Sequence, residues 1–186
     1  MPPHARITEF AIEQAQVWLG DDEDEAEERM SQLLDRFEAE QPALAAKVGK
    51  AMQRTNDEVA VALGYFLSLV VWRTFAESFP GRVALVGEDD IAGVDEALSL
   101  DEELRGADPL DPVDSDDVVA MEQPHAVRFV QEHIDAALED FSEQGGEVDV
   151  DAVHASYRTV LLVLLSLSYA VAPPEGQGDN SNEIFA

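Results

Sequence analysis

Two long, nearly uncharged stretches constrain this chain more than anything else, because any fold it adopts must hide both of them. Residues 57–79, DEVAVALGYFLSLVVWRTFAESF, and residues 149–172, DVDAVHASYRTVLLVLLSLSYAVA, each open on an aspartate and stop at a proline, Pro80 and Pro173. An aspartate side chain accepts hydrogen bonds from the free N–H groups that begin a helix, and proline cannot carry a helix onward. Between these signals the residues are apolar on nearly every side, which predicts helices lying inside the molecule. In the first, Ala60, Gly64 and Ser68 lie four apart and form a strip of small residues that lets another backbone approach closely.

Length argues for a protein interior rather than a bilayer. The uncharged block of residues 59–72 and its companion at 159–172 are both shorter than the roughly 20 residues a membrane span requires. Lysine and arginine flanks that would orient a span are sparse.

Amphipathic helices are predicted around this pair. Residues 7–19 hold Ile7, Phe10, Ala11, Ala15 and Trp18 at helical spacing, and Gly20 supplies a stop. The acidic run 21–28 opens the next helix, since negative charge is favourable beside unpaired N–H groups. Its stripe is Met30, Leu33, Leu34 and Phe37. Pro42 suits a first helical position, and Leu44, Ala45, Val48 and Met52 form a face behind it. Residues 82–86 read as extended, and Ile91, Val94, Leu98 and Leu104 as a short helix ending near Gly106. Residues 1–6 read as a loose leader.

The second part of the chain follows the order of the first. Glu122–Gln123–Pro124 matches Glu40–Gln41–Pro42. Counted from each proline, the apolar positions Ala45, Val48 and Met52 correspond to Val127, Val130 and Ile134. The later helix continues to Leu138 and Phe141 and breaks at Gly145–Gly146. Tripeptide, spacing and the apolar helices together predict an internal duplication. The expectation is an all-α single domain of seven or eight helices over residues 1–186. Its pseudo-repeated halves span about 22–80 and 115–173, with a proline- and aspartate-rich linker at 107–117 and a flexible tail at 174–186 ending in Ile184–Phe185.

Charge limits the partners. Forty acidic residues against eleven basic ones give a net charge of −29, and the only lysines are Lys47 and Lys50. Such a surface repels phosphates and anionic headgroups, so direct nucleic-acid or membrane binding is not expected. The acidity fits adaptation to a salty cytoplasm, a surface that meets a basic protein (including by imitating DNA), or plain solubility. The absence of cysteine excludes disulfides, thiolate catalysis and cysteine-ligated metals. The first ten residues lack an apolar core for a secretory signal, and a cytoplasmic location is the default expectation.

No motif for chemistry stands out. There is no glycine-rich phosphate loop, G-x-S-x-G elbow or H-E-x-x-H. His4, His125, His133 and His154 offer no i, i+4 pair. Glu122-x-x-His125 spells half of a di-iron motif, but Pro124 interrupts it and the first half carries alanine at the matching place. Asp111, Asp114 and Asp116 lack the order of a calcium loop, and Asp149 and Asp151 suit helix capping. Glu132, Asp135 and Glu139 lie off the apolar stripe and should face water. Trp18, Trp72, Tyr65, Tyr157 and Tyr169 are expected as packing aromatics, with Arg73 and Arg158 paired to nearby acids. No catalytic, cofactor or metal residue is assigned. The predicted function is a non-enzymatic helical interaction or scaffold protein of a bacterial or archaeal cytoplasm, binding a basic protein or itself. The alternatives are an acidic DNA mimic and a small-molecule enzyme with an unrecognised pocket.

Overall fold

Helices form wherever a cap meets a helical apolar period, and a computed structural model, describing residues 1–19, 23–107, 115–143 and 149–174, contains eight of them among those residues. They are α1 (Glu9–Leu19), α2 (Glu23–Glu40), α3 (Pro42–Met52), α4 (Glu58–Ser78), α5 (Glu88–Ala107), α6 (Ser115–Glu122), α7 (Pro124–Glu143) and α8 (Val150–Ala170). The fold is all-α, and the one β feature among the described residues is an isolated antiparallel bridge between Val83 and Val171.

The two apolar stretches are α4 and α8, and they lie side by side in the centre. Their direction follows from their ends. Asp57 caps α4 by accepting the Ala60 N–H at 2.9 Å, and its other oxygen accepts the Asp149 N–H at 3.1 Å. Asp149 in turn caps α8 through the N–H groups of Asp151 and Ala152. Beyond the other ends, Ala84 N–H donates to Ala170 O at 2.9 Å and Ala172 N–H to Arg82 O at 2.8 Å. Start is tied to start and finish to finish, so the helices run parallel.

Small residues set their separation. A Cβ on Gly64 would lie 3.3 Å from Ser156 Oγ and 2.3 Å from Met52 Sδ, so only glycine fits there without rearrangement. Ser156 Oγ also donates to the Ala60 carbonyl at 2.8 Å. Further along, Leu67, Trp72 and Phe75 of α4 and Leu162, Leu164 and Leu167 of α8 are fully buried. Each such side chain stabilises the fold by roughly 1.5–3 kcal/mol. Both helices are long and apolar enough to cross a membrane, and 61% of the most apolar window of each is buried within the protein.

The remaining helices cover the pair. Helices α1, α2 and α3 pack on α4, α5 and α3 on α8, and α7 touches α1, α4 and α8. The predicted stripes supply these contacts through Leu33, Phe37, Leu44, Val48, Met52, Ile91, Leu98, Val127 and Val130. Glu132, Asp135 and Glu139 are exposed, as their positions off the stripe require.

Two glutamines hold what the helices leave loose. Gln41 and Gln123 each precede a proline that opens a helix, and proline pushes its predecessor out of helical geometry. Gln41 Nε2 donates to Ala84 O at 3.0 Å while its Oε1 accepts the Val86 N–H at 2.9 Å. Gln123 Nε2 donates to Ala5 O at 2.8 Å while its Oε1 accepts the Ile7 N–H at 2.9 Å. In each case one buried amide grips a carbonyl and the N–H two residues later, as a neighbouring strand would.

Several expectations need correction. Residues 1–6 are not loose: Ala5 is fully buried, and His4 Nε2–H donates to Val171 O at 2.9 Å. Arg6 donates to the Met121 and Glu122 carbonyls at the end of α6, where a cation is favourable. Ile7 lies between a short 3-10 helix, Pro3–Ala5, and the start of α1, with its N–H held by Gln123. The short helix predicted around Ile91 extends over 20 residues. Helix α5 reaches Ala107 and α6 begins at Ser115, so the proposed linker is helical at both its ends. Its Asp111 and Asp114, the stop at Gly20, the Gly145–Gly146 break and the tail from residue 175 onward lie outside the described residues.

Candidate functional site

The polar groups drawn together by three helices come first. Asp95 of α5 receives Lys47 of α3 at 2.5 Å and Arg158 of α8 at 2.7 Å. Arg158 also reaches Ser99 at 2.8 Å and Glu102 at 2.8 Å. Burial by itself would raise the Asp95 carboxyl, but hydrogen bonds and charge from Lys47 and Arg158 outweigh it and hold the group below the usual carboxylate range. With two cations against two carboxylates, the cluster is compensated and clasps α3, α5 and α8. It leaves no group free for chemistry.

The other central arginine is engaged through one nitrogen, its Nη1 being buried without a hydrogen-bond partner among the described residues. Arg73 is buried, pairs with Glu77 at 2.6 Å and lies 4.0 Å over the Trp18 ring. Desolvation lowers its pKa. Trp72 packs against Phe37 and beneath Arg36.

The histidines do not converge. His4 is tied to Val171, and His133 Nδ1–H donates to Phe129 O at 2.8 Å between the rings of Phe66 and Phe129. His125 lies near the ion pair of Glu9 and Arg128, and His154 is exposed on α8 beside Tyr157. Glu122 ends α6 and His125 sits in the first turn of α7, so the two do not share a helix face. Among the described residues no three histidine, aspartate or glutamate side chains gather as metal ligands.

Clefts open at the finishing ends of the central helices. One of about 410 Å³ lies between the start of α1 and the end of α4, lined by Arg6, Phe10, Gln14 and Glu77. The other, about 780 Å³, lies between the segment after Val83, the first turns of α5 and the last turn of α8. Two large side chains stand in this second cleft with their faces to solvent, Leu85 at 65% exposure and Tyr169 at 59%. Asp89 and Asp90, in the first turn of α5, are the charged residues of its lining among the described residues. Asp90 has one oxygen committed to the Gly87 N–H at 3.1 Å.

Ser166 completes the second cleft. It is 2% exposed, and its Oγ has no hydrogen-bond partner among the described residues. Other buried hydroxyls of α4 and α8, on Thr74, Thr159 and Ser168, bond back to the carbonyl four residues earlier. Ser68 and Ser78 do not: Ser68 is enclosed within the α4 strip and Ser78 lines the smaller cleft, while Ser166 lines the second.

Tyr169 was expected among the packing aromatics and is not one, because it stands on the cleft-facing side of the last turn of α8 while its neighbours Leu167 and Ser168 face the core. The exposure of Leu85 has no signature in its own residue type. A polar-ended aromatic at the end of an otherwise Leu- and Ser-rich helix was the available signal. Comparison with protein-family models, with curated proteins and with solved structures finds no match to this chain.

Proposed function

We propose that the protein is a non-enzymatic helical interaction protein, that it meets its partner at the cleft between α5 and the end of α8, and that it is built from two copies of one helical unit. The observation carrying the binding role is the pairing of exposed Leu85 and Tyr169 across a cleft of about 780 Å³. Large apolar side chains in a concave surface with a polar rim are what protein contacts use, and scattered exposed residues are not. The surrounding charge of −29 accelerates encounter with basic proteins and keeps nucleic acids and anionic lipid away. The apolar faces of α4 and α8 are engaged largely with protein, which supports a soluble, cytoplasmic reading.

The duplication is supported by register. With the caps Asp57 and Asp149 aligned, Ala60, Val61, Tyr65, Leu69 and Val71 fall on Ala152, Val153, Tyr157, Leu161 and Val163. The two glutamine grips correspond as well, each reaching a segment that leads into the helix preceding the other half, α5 for Gln41 and α1 for Gln123.

A photocrosslinking substitution, Tyr169→benzoylphenylalanine, tests the binding role in native lysate. It should capture a discrete partner that is lost when Leu85→Asp is added, while the same group at exposed Glu38 captures nothing comparable. An identical set from both positions, or capture indifferent to Leu85→Asp, would overturn the reading.

A further inference from the structure

Resting on that reading, we infer that the cleft takes an extended segment of a partner protein in which a large apolar side chain stands next to a lysine or arginine. Three features of the site specify this occupant. Leu85, Val94 and Tyr169 offer an apolar surface with room for one large side chain. Asp89 and Asp90 on the rim have no cation among the cleft residues to balance them. Arg82, just before the segment that lines the cleft, is committed to the Ala172 carbonyl at 2.7 Å and 2.9 Å, and Arg158 to Asp95. Ser166 lies deeper with a buried, unpartnered hydroxyl, and a buried polar group without a partner favours a ligand that supplies one. A backbone carbonyl or N–H of an extended segment does so.

The chain's own residues after Pro174 are the rival occupant, since the chain passes the cleft at Pro173 and later carries Ile184–Phe185. Charge decides against them. Residues 175–186 contain Glu175, Asp179 and Glu183 and no lysine or arginine, so they meet the Asp89–Asp90 rim with like charge.

The test uses the full chain and a fluorescein-labelled peptide, acetyl-Lys-Leu-Lys-Leu-Lys-amide, followed by anisotropy. The expected result is saturable binding that Leu85→Asp abolishes. Asp89→Asn should weaken it by roughly three- to tenfold, as should Ser166→Ala, in line with one hydrogen bond or one rim charge each. Phe10→Asp, in the smaller cleft, should leave it unchanged. A peptide with glutamate in place of lysine should not bind.

Four results would overturn the inference: no binding, binding that all the variants share, equal binding of the acidic peptide, or binding that emerges only when residues 175–186 are deleted. Shared binding would mean that the net charge alone attracts the probe. If crosslinking from position 169 nevertheless captures a Leu85-dependent partner, the interaction role stands and only the chemistry assigned to its partner fails.

Discussion

Gln41 and Gln123 show how much a single side chain can settle. Gln123 satisfies a buried carbonyl and a buried N–H and also donates to Ser168 Oγ at 3.1 Å, while Gln41 satisfies a part-buried carbonyl and a buried N–H. Gln123→Ala strands Ala5 O and Ile7 N–H in the interior, and should lower the unfolding free energy in urea by about 2–4 kcal/mol. Gln123→Glu keeps the acceptor but sets a carboxylate against the Ala5 carbonyl, so its folded pKa should rise above the unfolded value of about 4.3. The loss relative to the parent should therefore shrink as pH falls through that raised value. Asp95 has the opposite sign. Held below its ordinary value by Lys47 and Arg158, it contributes stability that is present above about pH 4 and is lost as pH falls through its depressed folded pKa. Asp95→Asn should cost about 1–3 kcal/mol at pH 7, and the difference from the parent should close in acid. The tripeptide Glu–Gln–Pro was visible twice in the sequence, but the glutamine's role was not, because its partners lie 43 and 118 residues away.

At the scale of elements, legibility tracked how local each cause is. The caps at Asp57 and Asp149, the proline starts of α3 and α7 and the stripes of α2, α3 and α7 depend on neighbours within two turns, and all were readable. The fixed arm before α1 and the exposure of Tyr169 in the last turn of α8 depend on contacts between distant segments, and neither was. The small strip on α4 was read correctly as a site of close approach, and its neighbours can now be named. Alanine at position 64 gains about 1 kcal/mol in helix propensity, yet its Cβ would sit 2.3 Å from Met52 Sδ and 2.8 Å from Met52 Cε. Overpacking costs about 1–3 kcal/mol, so Gly64→Ala should be neutral to destabilising by about 2 kcal/mol. Met52→Ala by itself should cost about 2–5 kcal/mol by leaving a cavity. Combined, the two should cost at least about 1 kcal/mol less than their sum, because the new methyl occupies the space the thioether leaves. Strict additivity in chemical denaturation would mean that Met52 does not fill the notch at Gly64.

For the whole molecule the governing quantity is the charge of −29, which opposes compaction even though each helix is locally well specified. Self-repulsion among exposed carboxylates acts over the Debye length, about 10 Å at 0.1 M salt and 3 Å at 1 M. Partly buried pairs such as Lys47–Asp95 and Arg158–Asp95 are screened much less. Added potassium chloride should thus remove the repulsion while leaving the internal clasp largely intact. If the repulsion opposes folding by about 3 kcal/mol, relieving it should raise the melting temperature by about 6–12 °C for a chain of this size. Most of the rise should come below 1 M, where the screening length changes fastest, and sodium chloride should match potassium chloride. A rise that instead continues steadily with molar salt, and is larger in sulfate than in chloride, belongs to strengthened apolar burial. The penalty of Asp95→Asn should persist at 2 M salt. A melting temperature indifferent to salt would show that the carboxylates are spaced widely enough not to strain the fold, leaving encounter with a basic partner as the physical use of so acidic a surface.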